Sequence, residues 1–303
     1  MKTFYVHVGL PKAFSTSIQN YIFNVQNKSK DFLFINDTFV SNEVSKYYKS
    51  FKKNIYGYGG VAIYDFKKLS NDEIQNFKEK INKISCNKII ISDESLFGNP
   101  YTNYNDRKKI INNIKSICNG EIKILLSLRN QKNWSKSFFN TSIQQGTKNS
   151  YKNFINKKGH LSINLKEMNL LNHIEDFRSS FGKDNIVITF CEKNIDEYKK
   201  DIDFFFGFKN SNIQFPRRNA SFNKYYHTGR LIINKLINQK IVQFFNNYRI
   251  IYYISVYLGY IVDLLKIYKE DYSLPKQITN ELNEYNNYLF EELDSKILDD
   301  YIF

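Results

Sequence analysis

The chain has 303 residues, 42% of them hydrophobic and 17% aromatic, enough large side chains for a sizeable core, which excludes an intrinsically disordered protein. Its 44 Lys and Arg outnumber 30 Asp and Glu, and the net charge of +14 draws polyanions of every kind, so charge alone does not choose among nucleic acid, anionic lipid and phosphorylated or sulfated small molecules. Three scattered cysteines (Cys86, Cys118, Cys191) and four histidines without ligand spacing (His7, His160, His173, His227) argue against a disulfide framework or a metal site and fit a reducing cytoplasm.

The N-terminal segment lacks a long apolar stretch and is expected to carry no signal peptide. Phe4–Leu10 reads as a buried strand. It runs into Gly9-Leu10-Pro11-Lys12-Ala13-Phe14-Ser15-Thr16-Ser17 and then a helix over Ser15–Asn27. A strand, a loop with a lysine and clustered hydroxyls, and a helix start together wrap an anion. The free N–H groups and the helix dipole favour negative charge, and Lys12 adds a mobile one. A nucleoside-triphosphatase loop would need a second glycine directly before its lysine, which is absent here.

Phe32–Ile35 is a candidate second strand. Tyr56-Gly57-Tyr58-Gly59-Gly60 reads as a loop, able to stack a sugar or to serve as a plain turn. Helices are expected at Asn71–Ile84, Asp106–Ile117, Asn133–Gln145 and Leu165–Phe181, and further strands at Lys88–Ser92, Ile122–Leu128 and Asn185–Phe190. Continuous apolar strands alternating with helices predict an α/β doubly wound parallel sheet flanked by helices. The strand Lys88–Ser92 ends at Asp93 and Glu94. The strand Ile122–Leu128 ends at Arg129, with Ser137 eight residues on in the next helix. Arg suits a phosphate because its fork donates two parallel hydrogen bonds. After Pro216 the pattern turns helical, over Ser221–Lys269 and Pro275–Leu298. The most apolar part, Ile250–Val262, is too short to span a bilayer. It reads as a buried core helix, with an interfacial helix flanked by Arg249, Lys266 and Lys269 as the alternative. No linker or repeat interrupts residues 1–303, so one domain is expected, an α/β core over 1–215 and a helical part over 216–303.

The loop resembles the 5′-phosphosulfate loop of sulfotransferases, usually P-K-[ST]-G-[ST]-T. Pro11, Lys12, Ser15 and Thr16 match, and Phe14 stands where that family usually has glycine. Arg129 and Ser137 resemble its 3′-phosphate pair, and Phe215-Pro216-Arg217-Arg218-Asn219-Ala220-Ser221 resembles an R-x-N-x-S element late in bacterial members. Asn286–Phe290 and Asp299–Phe303 are similar to the same family's C-terminal pattern. The resemblance, to bacterial carbohydrate-type sulfotransferases, implies a P-loop-like fold and 3′-phosphoadenosine-5′-phosphosulfate (PAPS) as sulfuryl donor. It implies binding of PAPS by Lys12, Ala13, Phe14, Ser15, Thr16, Ser17, Arg129, Ser137 and Arg218, with no metal and with catalysis by Lys12 and Glu94. Asp93 and His160 are the rival bases, and His7, inside a strand, reads as a packed, hydrogen-bonded residue. The implied acceptor is a carbohydrate or a lipid-linked saccharide, the implied location the cytoplasm, with possible contact at the inner face of the membrane. A small-molecule P-loop kinase is the rival enzyme. A nucleic-acid-binding protein is the rival of another class, although no RRM, helix-turn-helix or zinc signature is present and the basic charge is spread along the chain.

Overall fold

The structure is a computed structural model and describes residues 1–36, 39, 42–56, 63–209, 213–216, 224–236, 249–265 and 271–293. Five strands form a parallel sheet: β1 (Lys2–Gly9), β2 (Phe32–Ile35), β5 (Lys88–Asp93), β6 (Gly120–Leu128) and β7 (Ile186–Phe190). Their order is β2-β5-β1-β6-β7, with Val6 opposite Ile91 on one side and Ile124 on the other. Phe4, Val6 and Val8 are wholly buried, and so is His7 on the opposite face of β1, so this central strand is covered on both sides, as its apolar run predicts. The chain leaves β1 toward β2 and leaves β6 toward β7. The sheet therefore reverses direction between β1 and β6, the place where open sheets of this kind have a crevice beyond the strand ends.

Helices flank the sheet. α1 (Ser15–Lys28) and α8 (Ile195–Phe206) meet through Tyr21, whose hydroxyl donates to Asp203 at 2.5 Å, and α8 sets the Phe205 ring edge-on against Tyr5 of β1 at 5.5 Å. α3 (Asn71–Asn82), α4 (Arg107–Ile117) and α7 (Leu170–Phe181) form another packed group. Helix α8 is absent from the sequence expectations, although Asn194 caps the N–H groups of Asp196 and Glu197 and left-handed Gly207 stops it. Also absent are α2 (Glu43–Lys49), α6 (Tyr151–Ile155) and an antiparallel hairpin, β3 (Lys52–Tyr56) with β4 (Ile63–Phe66). Tyr56, expected in a loop, ends β3, and residues 57–60 lie outside the described ones. The helix expected over Leu165–Phe181 is two pieces, a 3₁₀ turn at Leu165–Glu167 and then α7, because the Asn169 side chain accepts from the Asn172 N–H and starts a new helix.

The stretch expected to be helical over Ser221–Lys269 holds α9 (Lys224–Leu236) and α10 (Arg249–Leu264), and Pro275–Leu298 holds α11 (Lys276–Leu293), which includes Asn286–Phe290; residues 299–303 lie outside the described ones. α9 is fixed on α5 (Gln131–Gln144) by Asn234, which donates to the carbonyls of Ile143 and Thr147 at 2.7 and 3.1 Å. α10 packs on α9 with the backbones in contact at Gly229 and Gly259. A Cβ on Gly229 would lie 1.8 Å from the Ser255 carbonyl oxygen, and one on Gly259 would lie 1.8 Å from that of Tyr225. The expectation that Ile250–Val262 forms a buried core helix is corrected here. Among the residues of α10 whose burial is described, only Ser255 and Gly259 are fully covered, while Tyr253, Tyr257 and Tyr260 are exposed, because among the described elements the helix packs chiefly on α9.

Gly229→Ala inserts a methyl group against backbone that cannot move aside. It is expected to lower stability by about 2–3 kcal/mol, measured as a fall in the urea midpoint. An unchanged midpoint would show that the two helices are not in backbone contact.

Candidate functional site

The crevice between β1 and β6 is built from the loop after β1. The Leu10 N–H donates to the Ser127 carbonyl at 2.9 Å, extending the pairing of the strands by one residue, and the Ala13 N–H returns to the Leu10 carbonyl at 2.9 Å to close a turn. Lys12 and Phe14 both have left-handed backbones, φ 71° and 61°. For a side chain larger than glycine this costs roughly 1–2 kcal/mol per residue. Phe14 recovers part of it by packing edge-on against the Tyr198 ring at 5.7 Å. The chain then enters α1 with no side-chain cap and no acidic residue in the first turn. Among the other long helices, α3, α5, α7 and α8 begin with a side chain that takes up leading N–H groups (Ser70, Asn130, Asn169 and Asn194), whereas α4, like α1, has none. The start of α1 thus keeps its partial positive charge.

Three hydroxyl residues stand there. Ser15 is buried and its Oγ has no hydrogen-bond partner, while Ser17 is buried and Thr16 half-buried. A Cβ on Gly9 would lie 2.1 Å from Ser15 Oγ, so glycine at the strand end is what lets this hydroxyl sit against the backbone. Ala13 is buried beneath the turn.

Arg129 extends from the end of β6 and donates from Nη1 to the Lys12 carbonyl oxygen at 2.9 Å, while its buried Nε has no partner. The guanidinium therefore holds the loop with one arm and keeps other donors for something else. Burial draws the Lys12 ammonium below its usual pKa range. The carboxylate of Glu94, in the 3₁₀ turn Glu94–Phe97 after β5, opposes that shift, and the Arg129 guanidinium adds to it. Three predicted residues on three strand ends (Lys12, Glu94, Arg129) thus lie within one electrostatic neighbourhood.

Ser137 is not joined to them. It is half-buried on α5, seven residues after Asn130 and so on the same face of the helix, roughly 10 Å further along. Its hydroxyl makes no hydrogen bond to Arg129. Arg217 and Arg218 lie outside the described residues, which stop at Pro216 and resume at Lys224; Phe215, just before the break, packs on the Tyr198 ring at 5.6 Å. Of the rival bases, Asp93 is committed elsewhere. Its carboxylate takes the Lys52 ammonium at 2.5 Å and the Tyr48 hydroxyl at 3.2 Å, and caps the 3₁₀ turn through the Ser95 N–H at 3.0 Å. His160 has an exposed side chain, and its carbonyl accepts from Asn149 Nδ2 at 2.8 Å.

Beneath the loop lies a buried polar chain. His7 Nδ1 meets Ser92 Oγ at 2.6 Å and Nε2 meets Ser127 Oγ at 3.1 Å, and the Tyr198 hydroxyl donates to the same Ser127 Oγ at 3.2 Å. This is the packed, hydrogen-bonded role expected for His7. The chain ties β5, β1, β6 and α8 together directly under Gly9.

Two residues at the site carry no signal in the linear sequence. Glu192, just past β7, accepts from the Asn130 N–H at 3.0 Å and so joins the ends of β6 and β7. His227 on α9 is buried, and the charge of Lys12 contributes to depressing it, which brings α9 to the loop. Neither sits in a motif. Among the described residues no group of three or more His, Cys, Asp and Glu is placed to hold a metal ion.

Acid stability follows from the histidines. Burial pushes His7 down to about 3, and burial together with Lys12 pushes His227 down to about 4, against an ordinary 6.5. Between those values and 6.5 the unfolded chain binds protons that the folded chain refuses. Their contribution is complete above pH 6.5 and is lost as the pH falls, by about 1.4 kcal/mol per pH unit for each histidine until its folded value is reached. Urea midpoints are expected to drop steadily from pH 6.5 to 4.5; a flat profile would show that the two imidazoles are not held neutral.

No protein-family model matches the chain, and no curated protein matches it in sequence.

Proposed function

We propose that the chain is a PAPS-dependent sulfotransferase that moves a sulfuryl group to a hydroxyl or an amine of a carbohydrate acceptor. The observation that carries this reading is the hydrogen bond from Arg129 to the Lys12 carbonyl, which unites two anion-binding groups at the reversal point of a parallel sheet. A donor with phosphate at both ends of a nucleoside fits such a pair. The strand, uncapped helix start and lysine make a P-loop-like cradle in which a left-handed Phe14 replaces glycine. The fit is supported by two orphaned buried atoms, Ser15 Oγ and Arg129 Nε, both donors suited to anionic oxygen.

When bound, PAPS supplies a sulfuryl group on a good leaving phosphate. Lys12, the N–H groups at the start of α1 and the Ser15 hydroxyl hold the 5′ end and stabilise negative charge on the oxygens of the transferring and leaving groups. Arg129, anchored by the loop it supports, holds the 3′-phosphate through its remaining donors, and Ser137 contributes from further along α5. Glu94 accepts the proton of the acceptor hydroxyl as the new O–S bond forms and the bond to the 5′-phosphate breaks, releasing 3′-phosphoadenosine-5′-phosphate. Glu94 is preferred to Asp93 because its carboxylate lies in the field of Lys12, whereas Asp93 faces Lys52, Tyr48 and Ser95.

Lys12→Ala is expected to keep the fold and to lower sulfuryl transfer by about two to three orders of magnitude, read with radiolabelled PAPS and a panel of saccharide acceptors. Activity close to that of the unaltered protein would remove Lys12 from the mechanism. Arg129→Ala is expected to weaken 3′-phosphoadenosine-5′-phosphate far more than adenosine-5′-phosphosulfate, which lacks the 3′ group. Equal losses on both, by calorimetry, would contradict the assignment. In a thermal-shift comparison, 3′-phosphoadenosine-5′-phosphate should raise Tm and ATP with Mg²⁺ should not; the reverse pattern would favour a P-loop kinase.

A further inference from the structure

Helix α10 is the outermost layer of its part of the molecule. α5 carries α9 through Asn234, and α9 carries α10 through the glycine contact and through the Tyr226–Tyr252 and Tyr225–Tyr260 ring pairs, 5.2 and 5.5 Å between centroids. The side turned away from Gly259 is exposed, as far as Tyr260, which is half-exposed at its margin because its ring also packs on Tyr225. Tyr253, Tyr257, Tyr260 and Leu264 fall at i, i+4, i+7 and i+11, within one narrow stripe. They are 64%, 65%, 48% and 66% exposed, with Ile254 and Leu265 exposed along one edge. An exposed stripe this apolar marks a docking face. It carries no charged group; the one acidic residue of α10, Asp263, sits off the stripe.

We infer that this face of α10 lies in the surface of an anionic phospholipid bilayer, with the helix in the plane of the membrane. Three observations choose this occupant. Among the described residues no helix is long and apolar enough to cross a membrane, so contact is in the plane. Three of the four stripe residues are tyrosines, whose apolar ring and polar tip suit the boundary between headgroups and acyl chains. The charge of the whole chain is complementary as well: around the helix Arg249, Lys266 and Lys269 are balanced by Asp263, Glu270 and Asp271, but the chain carries +14, so anionic headgroups attract what the apolar face then holds. The inference does not depend on which reaction the crevice catalyses.

The test is co-sedimentation of the full chain with vesicles of phosphatidylcholine alone or containing phosphatidylglycerol, for the unaltered protein and for a triple variant, Tyr253→Ser with Tyr257→Ser and Leu264→Ser. The unaltered protein is expected to pellet with the phosphatidylglycerol vesicles, and the variant to bind about tenfold or more weakly with its far-UV circular dichroism and Tm retained. The inference is overturned if the unaltered protein stays in solution at low ionic strength, or if the variant binds equally well. It is also overturned if the unaltered protein sediments as a dimer that the variant abolishes, since the face would then cover a second copy. A separate variant, Tyr257→Trp, keeps the test decisive should the triple variant misfold: its added indole emission is expected to shift to the blue on phosphatidylglycerol vesicles, and no shift would count against membrane contact.

Discussion

The Arg129 guanidinium donates to the carbonyl oxygen of Lys12, and the organisation of the crevice depends on that bond. A left-handed residue in a surface loop would ordinarily relax, since its conformation is costly and water can satisfy its carbonyl. Here the carbonyl of Lys12 is claimed by a side chain rooted at the end of the neighbouring strand, so the loop after β1 cannot open without unmaking a contact to β6. The bond between the Leu10 N–H and the Ser127 carbonyl secures the near side of the same loop, and the edge-on contact of Phe14 with Tyr198 secures the far side. Three fixings, two from the end of β6 and one from α8, hold the segment Leu10–Phe14.

The arrangement works against stability in isolation. It sets a partly buried ammonium near a guanidinium, leaves the leading end of α1 without a cap, and buries a serine hydroxyl with no partner. Each of these is a local cost to folding, and each is of a kind that a bound anion would relieve. Such local conflict supports the proposal that this loop takes an anion. Glu94 offsets part of the positive field from the end of β5, and the neighbouring Asp93 takes no share in this, being wholly occupied with Lys52, Tyr48 and Ser95.

The parallel strands are legible in the sequence because each is covered on both faces and so must be apolar throughout. Lys88–Ser92 and Ile122–Leu128 announce themselves on that ground alone. The β3–β4 hairpin does not. Lys52, Lys53 and Asn54 look like surface residues, and what holds them is Lys52 turning inward to Asp93, 41 positions away, with its ammonium over the Tyr48 ring at 5.4 Å. The same distinction separates the parts of the site. Lys12 and Arg129 sit at the ends of legible strands and are found by that position. Glu192 and His227 reach the crevice only through the way β7 and α9 pack, which no local pattern encodes. The fate of Ile250–Val262 has a related cause. Apolar composition predicts burial, but burial needs neighbours on more than one side, and sequence does not count neighbours.

The backbone contact between Gly229 and Gly259 has a mechanical meaning. Two helices whose main chains touch have no side-chain cushion between them, so neither can slide or rotate without carrying the other. His227, within the field of Lys12, lies two residues from that junction on the same rigid rod. The outer helix and the helix that carries His227 are therefore joined as one unit.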